Sequence, residues 1–382
     1  MSAGKKSILV FMGTRPEAIK LAPVVAALRE SPEFGCTVVA TGQHREMFRQ
    51  VADQFGFTVD ADLDVMRPDQ SLAALTSRLL EAIDGWLEAA HPDMALVQGD
   101  TTTVLASALA CFYRRIPIGH VEAGLRTGNI WSPFPEEVNR RLATPLVSLH
   151  FAPTQSARNA LLREGIPDET IAVTGNTVID ALLMELRVQE GDRVRSEIAR
   201  DLAGLLGPCA DAPLILITGH RRENFGEGFD QICEAIATLA RRFPEHCFVY
   251  PVHLNPNVHL HVTRLLGSLA NVRLVPPQGY RTFVALMARC RLVLTDSGGV
   301  QEEAPSLGKP VLVMRDTTER PEGVEAGTAV LTGARAAAIV EHATRLLTDP
   351  VAYQAMAAAQ NPYGDGHASE RILERMRRYF FA

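Results

Sequence analysis

The chain has 382 residues, of which 47% are apolar, and it carries a net charge of −6 at pH 7. A chain of this length exceeds what one hydrophobic core usually organises, so we expect two domains. The acidic balance without a basic stripe argues against nucleic acid as the main partner, and six cysteines without a C-x-x-C pair argue against a zinc site or a disulfide framework. The first apolar run, residues 8–12, is too short for a signal or membrane segment, and we expect a cytoplasmic protein.

Short apolar runs alternate with helical patterns from residue 8 onward, which predicts a parallel sheet with crossover helices. Because the runs are uniformly apolar, we expect helices to cover both faces of this sheet. The predicted strands of the first half are residues 8–12, 37–40, 94–97, 116–121, 149–152 and 171–173. Residues 1–180 are therefore predicted to form a Rossmann-like domain.

A change of composition over residues 180–211, from charged to glycine- and proline-rich, marks the predicted domain boundary. The alternation then restarts, with predicted strands at 214–218, 247–251, 272–275, 292–295 and 311–314. Residues 181–368 should form a second Rossmann-like domain, and a helix over 369–382 is expected to pack back on the first. The fold class is thus α/β, with two doubly wound parallel-sheet domains facing a cleft, as in GT-B-like proteins.

The first strand leads into a segment suited to anion binding. Gly13 permits a tight turn, and Pro16 suits the first turn of a helix. Arg15 and Lys20 could both reach an anion near the N-terminus of that helix. A strand-to-helix turn with solvated charges explains the same segment equally well.

Asp100 follows the predicted strand 94–97. Its commoner role, by residue type and position, is to cap the next helix. Its strand end is nevertheless close to the one that leads into Glu122, so the two carboxylates could share a site. Carboxylates gathered in a partly closed site drive their pKa values apart, which suits them to acid and base roles.

The densest group of charges follows the strand 116–121, in a stretch punctuated by glycine and proline. Its members are Glu122, Arg126, Glu136, Glu137 and Arg140. The spacing of Glu136 and Arg140 also fits an ordinary i, i+4 helix pair, and for Glu122, Glu136 and Arg140 a structural ion-pair network that holds a loop is the alternative. On position we interpret the group as half of an active site.

In the second half, His220 and Arg221 follow a strand, and a histidine joined to arginines is typical of a phosphate site. Ser297 can cap a helix whose Gly298 and Gly299 amides would face a pyrophosphate.

Glu303 lies just over a turn inside that helix, where it can accept two ribose hydroxyls. A plain Ser-capped helix start is the structural alternative for this segment. Arg315 and Arg320 add positive charge nearby. His253 and Gln43, taken alone, fit hydrogen-bonded loop positions or a helix start.

Taken in order, these segments resemble the non-hydrolysing UDP-N-acetylglucosamine 2-epimerases of bacteria. The matching segments are 13–17, 98–101, 121–127, 135–140, 218–224, 296–299 and 319–321. The resemblance runs nearly end to end. It implies a GT-B-like homodimer that interconverts UDP-GlcNAc and UDP-ManNAc for cell-surface polysaccharide, with no cofactor, no metal and no membrane partner.

The resemblance also implies a reaction and a set of residues. UDP leaves C1 while the C2 proton is removed, which gives a bound 2-acetamidoglucal, and UDP then re-adds with protonation from the other face. The implied catalytic residues are Asp100, Glu122, Glu136, Arg140 and His220. The implied UDP-binding positions are Arg15, Lys20, Gln278, Phe283, Ser297, Gly298, Gly299, Glu303 and Arg320. Several members bind a second UDP-GlcNAc as an activator, and the matching positions are Gln43, Glu136, Arg221 and His253.

Three other functions are open at this stage. A GT-B glycosyltransferase would share the UDP positions but has little reason to gather three carboxylates around the sugar. A hydrolysing epimerase differs in letting water trap the glycal, and the stretch 125–128 favours the non-hydrolysing group. A nucleotide-sugar sensor would not need the three carboxylates. A UDP-2,3-diacetamido sugar is an alternative substrate, and the assignment of acid and base among the carboxylates is open.

Overall fold

The computed structural model describes residues 4–42, 45–67, 69–219, 226–252 and 256–381. The chain forms two compact α/β units, of which the first comprises Met1–Leu183 and Tyr363–Ala382 and the second Met184–Pro362. None of the helices within the described ranges is long and apolar enough to cross a membrane. All six cysteines are free thiols.

Within the described ranges, the first unit contains seven strands. They are β1 (Lys6–Met12), β2 (Phe34–Ala40), β3 (Ala61–Asp62), β4 (Met94–Gln98), β5 (Ile118–Val121), β6 (Leu149–Ala152) and β7 (Ile171–Val173). Every pairing is parallel, in the order β3-β2-β1-β4-β5-β6-β7. The order reverses direction between β1 and β4, and in open α/β sheets ligands bind beside the carboxyl ends of the strands at such a point.

Helices connect these strands. They are α1 (Arg15–Glu30), α2 (Arg45–Phe55), α3 (Leu72–Ala90), α4 (Thr102–Tyr113), α5 (Glu136–Ala143), α6 (Gln155–Arg163) and α7 (Thr177–Gln189). The start of α1 shows why the local sequence folds this way. Thr14 accepts a hydrogen bond from the Glu17 amide at 3.4 Å, and the Glu17 carboxylate accepts one from the Thr14 amide at 2.5 Å. This capping box, with Pro16 in the first turn, fixes where the helix begins.

The described part of the second unit contains six parallel strands. They are β8 (Leu214–Thr218), β9 (Cys247–Pro251), β10 (Val272–Val275), β11 (Cys290–Thr295), β12 (Val311–Val313) and β13 (Ala329–Leu331). Their order is β10-β9-β8-β11-β12-β13, so the direction reverses between β8 and β11.

The remaining helices follow α7 along the chain. They are α8 (Asp192–Leu206), α9 (Glu227–Arg242), α10 (Pro256–Leu266), α11 (Tyr280–Arg289), α12 (Gly298–Ser306), α13 (Pro321–Glu325), α14 (Ala336–Thr348), α15 (Pro350–Ala357) and α16 (Ala368–Phe381). The strands predicted from the apolar runs are present, with small shifts at their ends. The prediction missed β3 and β13, which are short strands at the edges of the two sheets.

The last helix, α16, packs on α1 of the first unit. The ring of Phe380 lies 6.2 Å from that of Phe34, and Arg377 donates to Glu33 at 3.0 Å. The Asp180 carboxylate accepts hydrogen bonds from two backbone amides at the start of α16, at 2.8 and 3.2 Å. A carboxylate at a helix N-terminus satisfies amides that the helix itself leaves without partners.

Candidate active site

Glu122 follows β5 and its carboxylate is held from two sides. Lys20 of α1 donates to Glu122 Oε2, and the side-chain amide of Asn176 donates to the same oxygen at 2.8 Å. All three residues are buried, with at most 9% of their surface exposed. Lys20, predicted to contact UDP, is therefore placed here as the ion-pair partner of Glu122.

Asp100 and Arg140 form the second charged group of this unit. Arg140 Nη2 donates to Asp100 Oδ2 at 2.5 Å, and Nη1 donates to Glu137 Oε2 at 3.2 Å. The Asn139 side chain donates to the Asp100 carbonyl at 2.9 Å. Thr101, not Asp100, occupies the N-cap position of α4, so the simple capping role is wrong for Asp100. Because β4 and β5 are neighbours in the sheet, Asp100 and Glu122 lie at adjacent strand ends.

Glu136 is the first residue of α5 and is half-buried. Across the described ranges, its carboxylate makes no hydrogen bond or ion pair. The alternative i, i+4 pair with Arg140 is not formed, because Arg140 is held by Glu137 and Asp100 instead. Of the three predicted catalytic carboxylates, the structure anchors two with cations, and the third has no such partner among the described residues.

Glu137 is fully buried and closes the loop after β5 onto α5. Its carboxylate accepts hydrogen bonds from the Thr127 amide at 3.1 Å and the Gly128 amide at 3.2 Å, in addition to the one from Arg140. Arg126, which belongs to the charged group read from the sequence, pairs with both Glu164 oxygens at 2.7 and 2.8 Å. For Glu137 and Arg126 the structural interpretation therefore holds.

A buried glutamate joins the loops that follow β1 and β4. Glu17 accepts from the Gly13 amide at 2.8 Å and from the Thr101 hydroxyl at 2.7 Å, besides capping α1. Burial raises the pKa of Glu17, although these hydrogen bonds act in the opposite direction. The contacts fix the start of α1, which carries Arg15 and Lys20, against the loop that carries Asp100.

His120, on β5, contacts the loop that follows β4 and carries Asp100. Its Nε2 lies 2.7 Å from the Gly99 carbonyl, and a carbonyl only accepts, so Nε2 carries the proton and donates it. Only 2% of the residue is exposed. Burial lowers the pKa of His120 to about 4, so the ring is neutral at physiological pH.

Replacing His120 by glutamine is expected to make the first unit less sensitive to acid. In the folded protein the ring protonates near pH 4, whereas in the unfolded chain it protonates near pH 6.5. The free energy of unfolding is therefore unaffected by His120 above pH 6.5. As the pH falls from 6.5 towards 4, protonation of the unfolded chain lowers the free energy of unfolding by about 3 kcal/mol in all. Glutamine can still donate to the Gly99 carbonyl but does not titrate.

Urea unfolding followed by tryptophan fluorescence measures this effect, because both tryptophans, Trp86 and Trp131, lie in the first unit. His367→Gln is the matched control, since it removes an exposed histidine of the same unit. Equal dependence of the unfolding free energy on pH in wild type and His120→Gln would contradict the prediction.

In the second unit, α12 begins directly after β11 with Gly298 and Gly299. Ser297 occupies the N-cap position, but its side chain makes no capping hydrogen bond, so this part of the prediction is wrong. Its amide instead donates to the Thr295 hydroxyl at 2.9 Å. A side chain on Gly298 would meet the Arg320 guanidinium at 3.0 Å. The glycine therefore lets a cation lie against the positive end of the helix.

Arg320 belongs to a buried ion-pair network. Its Nε donates to Glu302 at 2.9 Å, and Arg315 donates to both oxygens of Glu319 at 2.7 and 3.3 Å. Burial alone would raise the pKa of Glu319, but the hydrogen bond from Arg315 and the charges of Arg320 and Arg315 lower it to about 2. The network holds Arg320 in one orientation at the start of α12.

Glu303 lies inside α12 and is 6% exposed. The Tyr280 hydroxyl donates to its Oε1 at 2.7 Å. Gln278 and Phe283, also predicted to contact UDP, are half-buried on either side of Tyr280, in the loop before α11 and within α11. Arg15, half-buried, is the first residue of α1 in the other unit.

Four predicted residues lie outside the described residues. These are His220, Arg221, Gln43 and His253. Among the residues that are described, no group of three or more His, Cys, Asp or Glu side chains is arranged to hold a metal ion.

The two parallel sheets with charged side chains at their strand ends define an α/β protein of the GT-B-like class. Similar solved structures support this assignment. The chain matches a crystal structure of UDP-GlcNAc 2-epimerase from Neisseria meningitidis bound to UDP-GlcNAc with a TM-score of 0.92 and 48% identity, over 97% of this chain and 100% of that one. It matches a Methanocaldococcus jannaschii UDP-GlcNAc 2-epimerase in complex with UDP-GlcNAc and UDP with a TM-score of 0.83 and 32% identity, over 97% and 99% of the two chains. The predicted fold class is confirmed.

The family model for UDP-N-acetylglucosamine 2-epimerase matches residues 26–377. The UDP-N-acetylglucosamine 2-epimerase of Escherichia coli K12 is 55% identical over 371 residues, which is 97% of this chain and 98% of that one. The chain belongs to the UDP-N-acetylglucosamine 2-epimerase family. The resemblance predicted from the sequence motifs is thereby confirmed, as is the prediction of an enzyme of this family.

Sequence reasoning missed the residues that hold the predicted ones in place. Asn176 on Glu122, Glu17 on Thr101 in the loop that carries Asp100, and Tyr280 on Glu303 are examples. A weak signal existed for Asn176, which follows an apolar strand and a glycine, where strand ends carry ligand chemistry. The sequence gives no signal for the role of Tyr280, because its partner Glu303 lies 23 positions away on another helix.

Proposed function

We propose that this protein interconverts UDP-GlcNAc and UDP-ManNAc by reversible inversion at C2, without hydrolysis. The observation that carries the proposal is the pair of anchored carboxylates, Asp100 and Glu122, at adjacent strand ends in a chain of this family. A sugar C2 proton has no neighbouring carbonyl to acidify it. The reaction therefore needs well-positioned acid and base groups, and such groups are what the first unit supplies.

The proposed route is elimination followed by re-addition. A carboxylate removes the C2 proton as the C1–O bond breaks, so UDP leaves and a C1–C2 double bond forms. The UDP oxygen then adds back to C1, and an acid delivers a proton to the opposite face of C2. Asp100, Glu122 and Glu136 are the proposed acid and base set. Arg140 orients the Asp100 carboxylate, and Lys20 forms an ion pair with that of Glu122.

Binding of UDP is proposed for the second unit. The backbone amides at the start of α12 and the Arg320 guanidinium beside Gly298 provide positive charge for a pyrophosphate. Glu303, oriented by Tyr280, can accept hydrogen bonds from ribose hydroxyls. By resemblance, Arg15, Gln278, Phe283, Ser297 and Gly299 are further UDP positions, and His220 is placed near the pyrophosphate.

Proton NMR of the purified protein with UDP-GlcNAc in deuterium oxide tests the proposal, with no acceptor or metal added. We expect UDP-ManNAc to accumulate with deuterium at C2, because the C2 proton exchanges with solvent during the reaction. Free UDP with ManNAc would assign the chain to the hydrolysing branch. An unchanged spectrum would contradict the proposal and favour a transferase, another UDP-sugar or a sensor.

The proposal includes a homodimer. Helices α4 and α5, which pack together, leave Phe112 55%, Tyr113 64% and Leu142 54% exposed. Neighbouring exposed apolar side chains of this size are typical of protein interfaces. Sedimentation of the purified protein at micromolar concentration measures the oligomeric state, and a monomer would contradict this part.

A second UDP-GlcNAc is proposed as an activator, and UDP-ManNAc as a supply for cell-surface polysaccharide. The resemblance at Gln43, Glu136, Arg221 and His253 supports the activator. A sigmoidal dependence of the initial rate on UDP-GlcNAc concentration is the expected result, and a hyperbolic one would contradict it.

A further inference from the structure

Asn176 lies between β7 and α7 and contacts Glu122, which is 54 positions earlier in the chain. Both the nitrogen and the oxygen of its side-chain amide form hydrogen bonds. The Nδ2 amine donates to Glu122 Oε2 at 2.8 Å, and Oδ1 accepts from the Val178 amide at 3.1 Å. A backbone amide can only donate, so the Val178 contact fixes which end of the Asn176 amide is the oxygen. The amine is therefore the end that points at the carboxylate.

The backbone of Asn176 is also held. Its amide donates to the Tyr363 carbonyl at 2.7 Å, where the chain returns to the first unit. Gly364 packs against the backbone of Asn176, and a Cβ on Gly364 would lie 3.4 Å from the backbone nitrogen of Asn176. Both Gly364, at φ +145°, and Gly175, at φ +89°, adopt backbone angles that favour glycine. Two segments nearly two hundred positions apart thus meet through their backbones, and Asn176 is only 2% exposed.

The backbone of Glu122 is itself unusual. It has a φ of +66°, in the left-handed region that side-chain-bearing residues rarely adopt. The Glu122 side chain has several rotatable bonds, so its carboxylate takes a fixed direction from its contacts, which include Lys20 and Asn176. Lys20 supplies charge from a flexible chain. The Asn176 amide group is planar, and its oxygen is fixed by the Val178 amide. We therefore infer that it sets the orientation of the Glu122 carboxylate.

We propose that Asn176 is a positioning residue for the reaction, and that it holds the Glu122 carboxylate in the direction required for proton transfer at C2. The proposal rests on the proposed function of Glu122. Asn176 also caps α7, so the test must separate capping from positioning.

The substitution Asn176→Asp makes that separation. Aspartate caps a helix as well as asparagine does, and it keeps an oxygen for the Val178 amide. It replaces the donor facing Glu122 with a second carboxylate oxygen. We expect kcat at pH 8 to fall about ten- to a hundredfold, with the KM for UDP-GlcNAc changed by less than about threefold.

The pH profile provides the second readout. Two carboxylates in contact share a proton as the pH falls, and the protonated partner can again donate. The ratio of variant to wild-type kcat should therefore rise between pH 8 and pH 6. Asn176→Ser, whose hydroxyl can cap α7 but is too short to reach Glu122, should lose kcat without this recovery. Asn159→Asp, an exposed change of the same type on α6, is the matched control.

If Asn176 serves only as a cap, Asn176→Asp will retain wild-type kcat within about twofold at all pH values, and that result would overturn the proposal. A wild-type protein that leaves UDP-GlcNAc unchanged would instead refute the proposed function, and the role of Asn176 in that reaction with it. The two failures are distinguished by the wild-type assay alone.

Discussion

Exchange of Glu122 for glutamine should lower kcat for epimerisation about a hundredfold or more while leaving the affinity for UDP within about threefold. Glutamine has the same shape, and its amide oxygen can accept the hydrogen bonds that Lys20 and Asn176 donate to Glu122 Oε2. The hydrogen-bond arrangement around residue 122 should therefore survive, while Lys20 loses its negatively charged partner. An amide does not take up or deliver a proton in the way a carboxylate does, so the loss should appear in turnover.

Initial rates by NMR and UDP binding by calorimetry check this result. Glu169→Gln, at an exposed position of the same unit, is the matched control and should behave as wild type. Asp100→Asn and Glu136→Gln are expected to show losses of the same order. Wild-type turnover in all three variants would contradict the assignment of the carboxylates.

Removing the Arg140 charge is expected to have the largest effect on stability. Arg140 is 5% exposed and pairs with Glu137, which is fully buried, and with Asp100. Arg140→Met leaves the Glu137 carboxylate buried without its cation, and breaking such a pair costs about 3–5 kcal/mol. It also releases Asp100, so kcat should fall at least about tenfold. Urea unfolding by tryptophan fluorescence, together with initial rates, measures both effects.

A double variant separates the two effects. Glu137→Gln combined with Arg140→Met removes the isolated buried charge, so much of the lost stability should return. The activity should stay low, because Asp100 still lacks its guanidinium partner. Arg141→Met is the control, since Arg141 is exposed on the same helix. A double variant with wild-type kcat would show that Asp100 does not depend on Arg140.

The strands could be predicted because a parallel sheet covered on both faces requires uniformly apolar runs. Every residue of β4, β5 and β8 is buried, and these runs were read from the sequence. The short strands β3 and β13 could not be predicted, because two or three residues at a sheet edge do not form a recognisable apolar run. The order of the strands also has no local signal, because it depends on where each crossover helix packs.

The same limit applies to the site. The family motifs predict which residues carry the chemistry, and local spacing left open a pair between Arg140 and Glu136. The structure pairs it with Glu137 and with Asp100, 40 positions away. Lys20 and Glu122 are 102 positions apart. Partners of this kind follow from the strand order, which places the ends of β1, β4 and β5 on one edge of the sheet.

The return of the chain at Tyr363 has a consequence for biosynthesis. Residues 184–362 form the whole second unit, so this unit can complete its fold while the first still lacks the segment that carries α16. The contacts that hold Asn176 and Asp180 form only after that segment has been translated. A ribosomal product that stops before Tyr363 would thus contain every predicted catalytic residue and still lack the backbone contact that holds Asn176 beside Glu122. We therefore expect maturation of the proposed active site to depend on translation of the C-terminal segment.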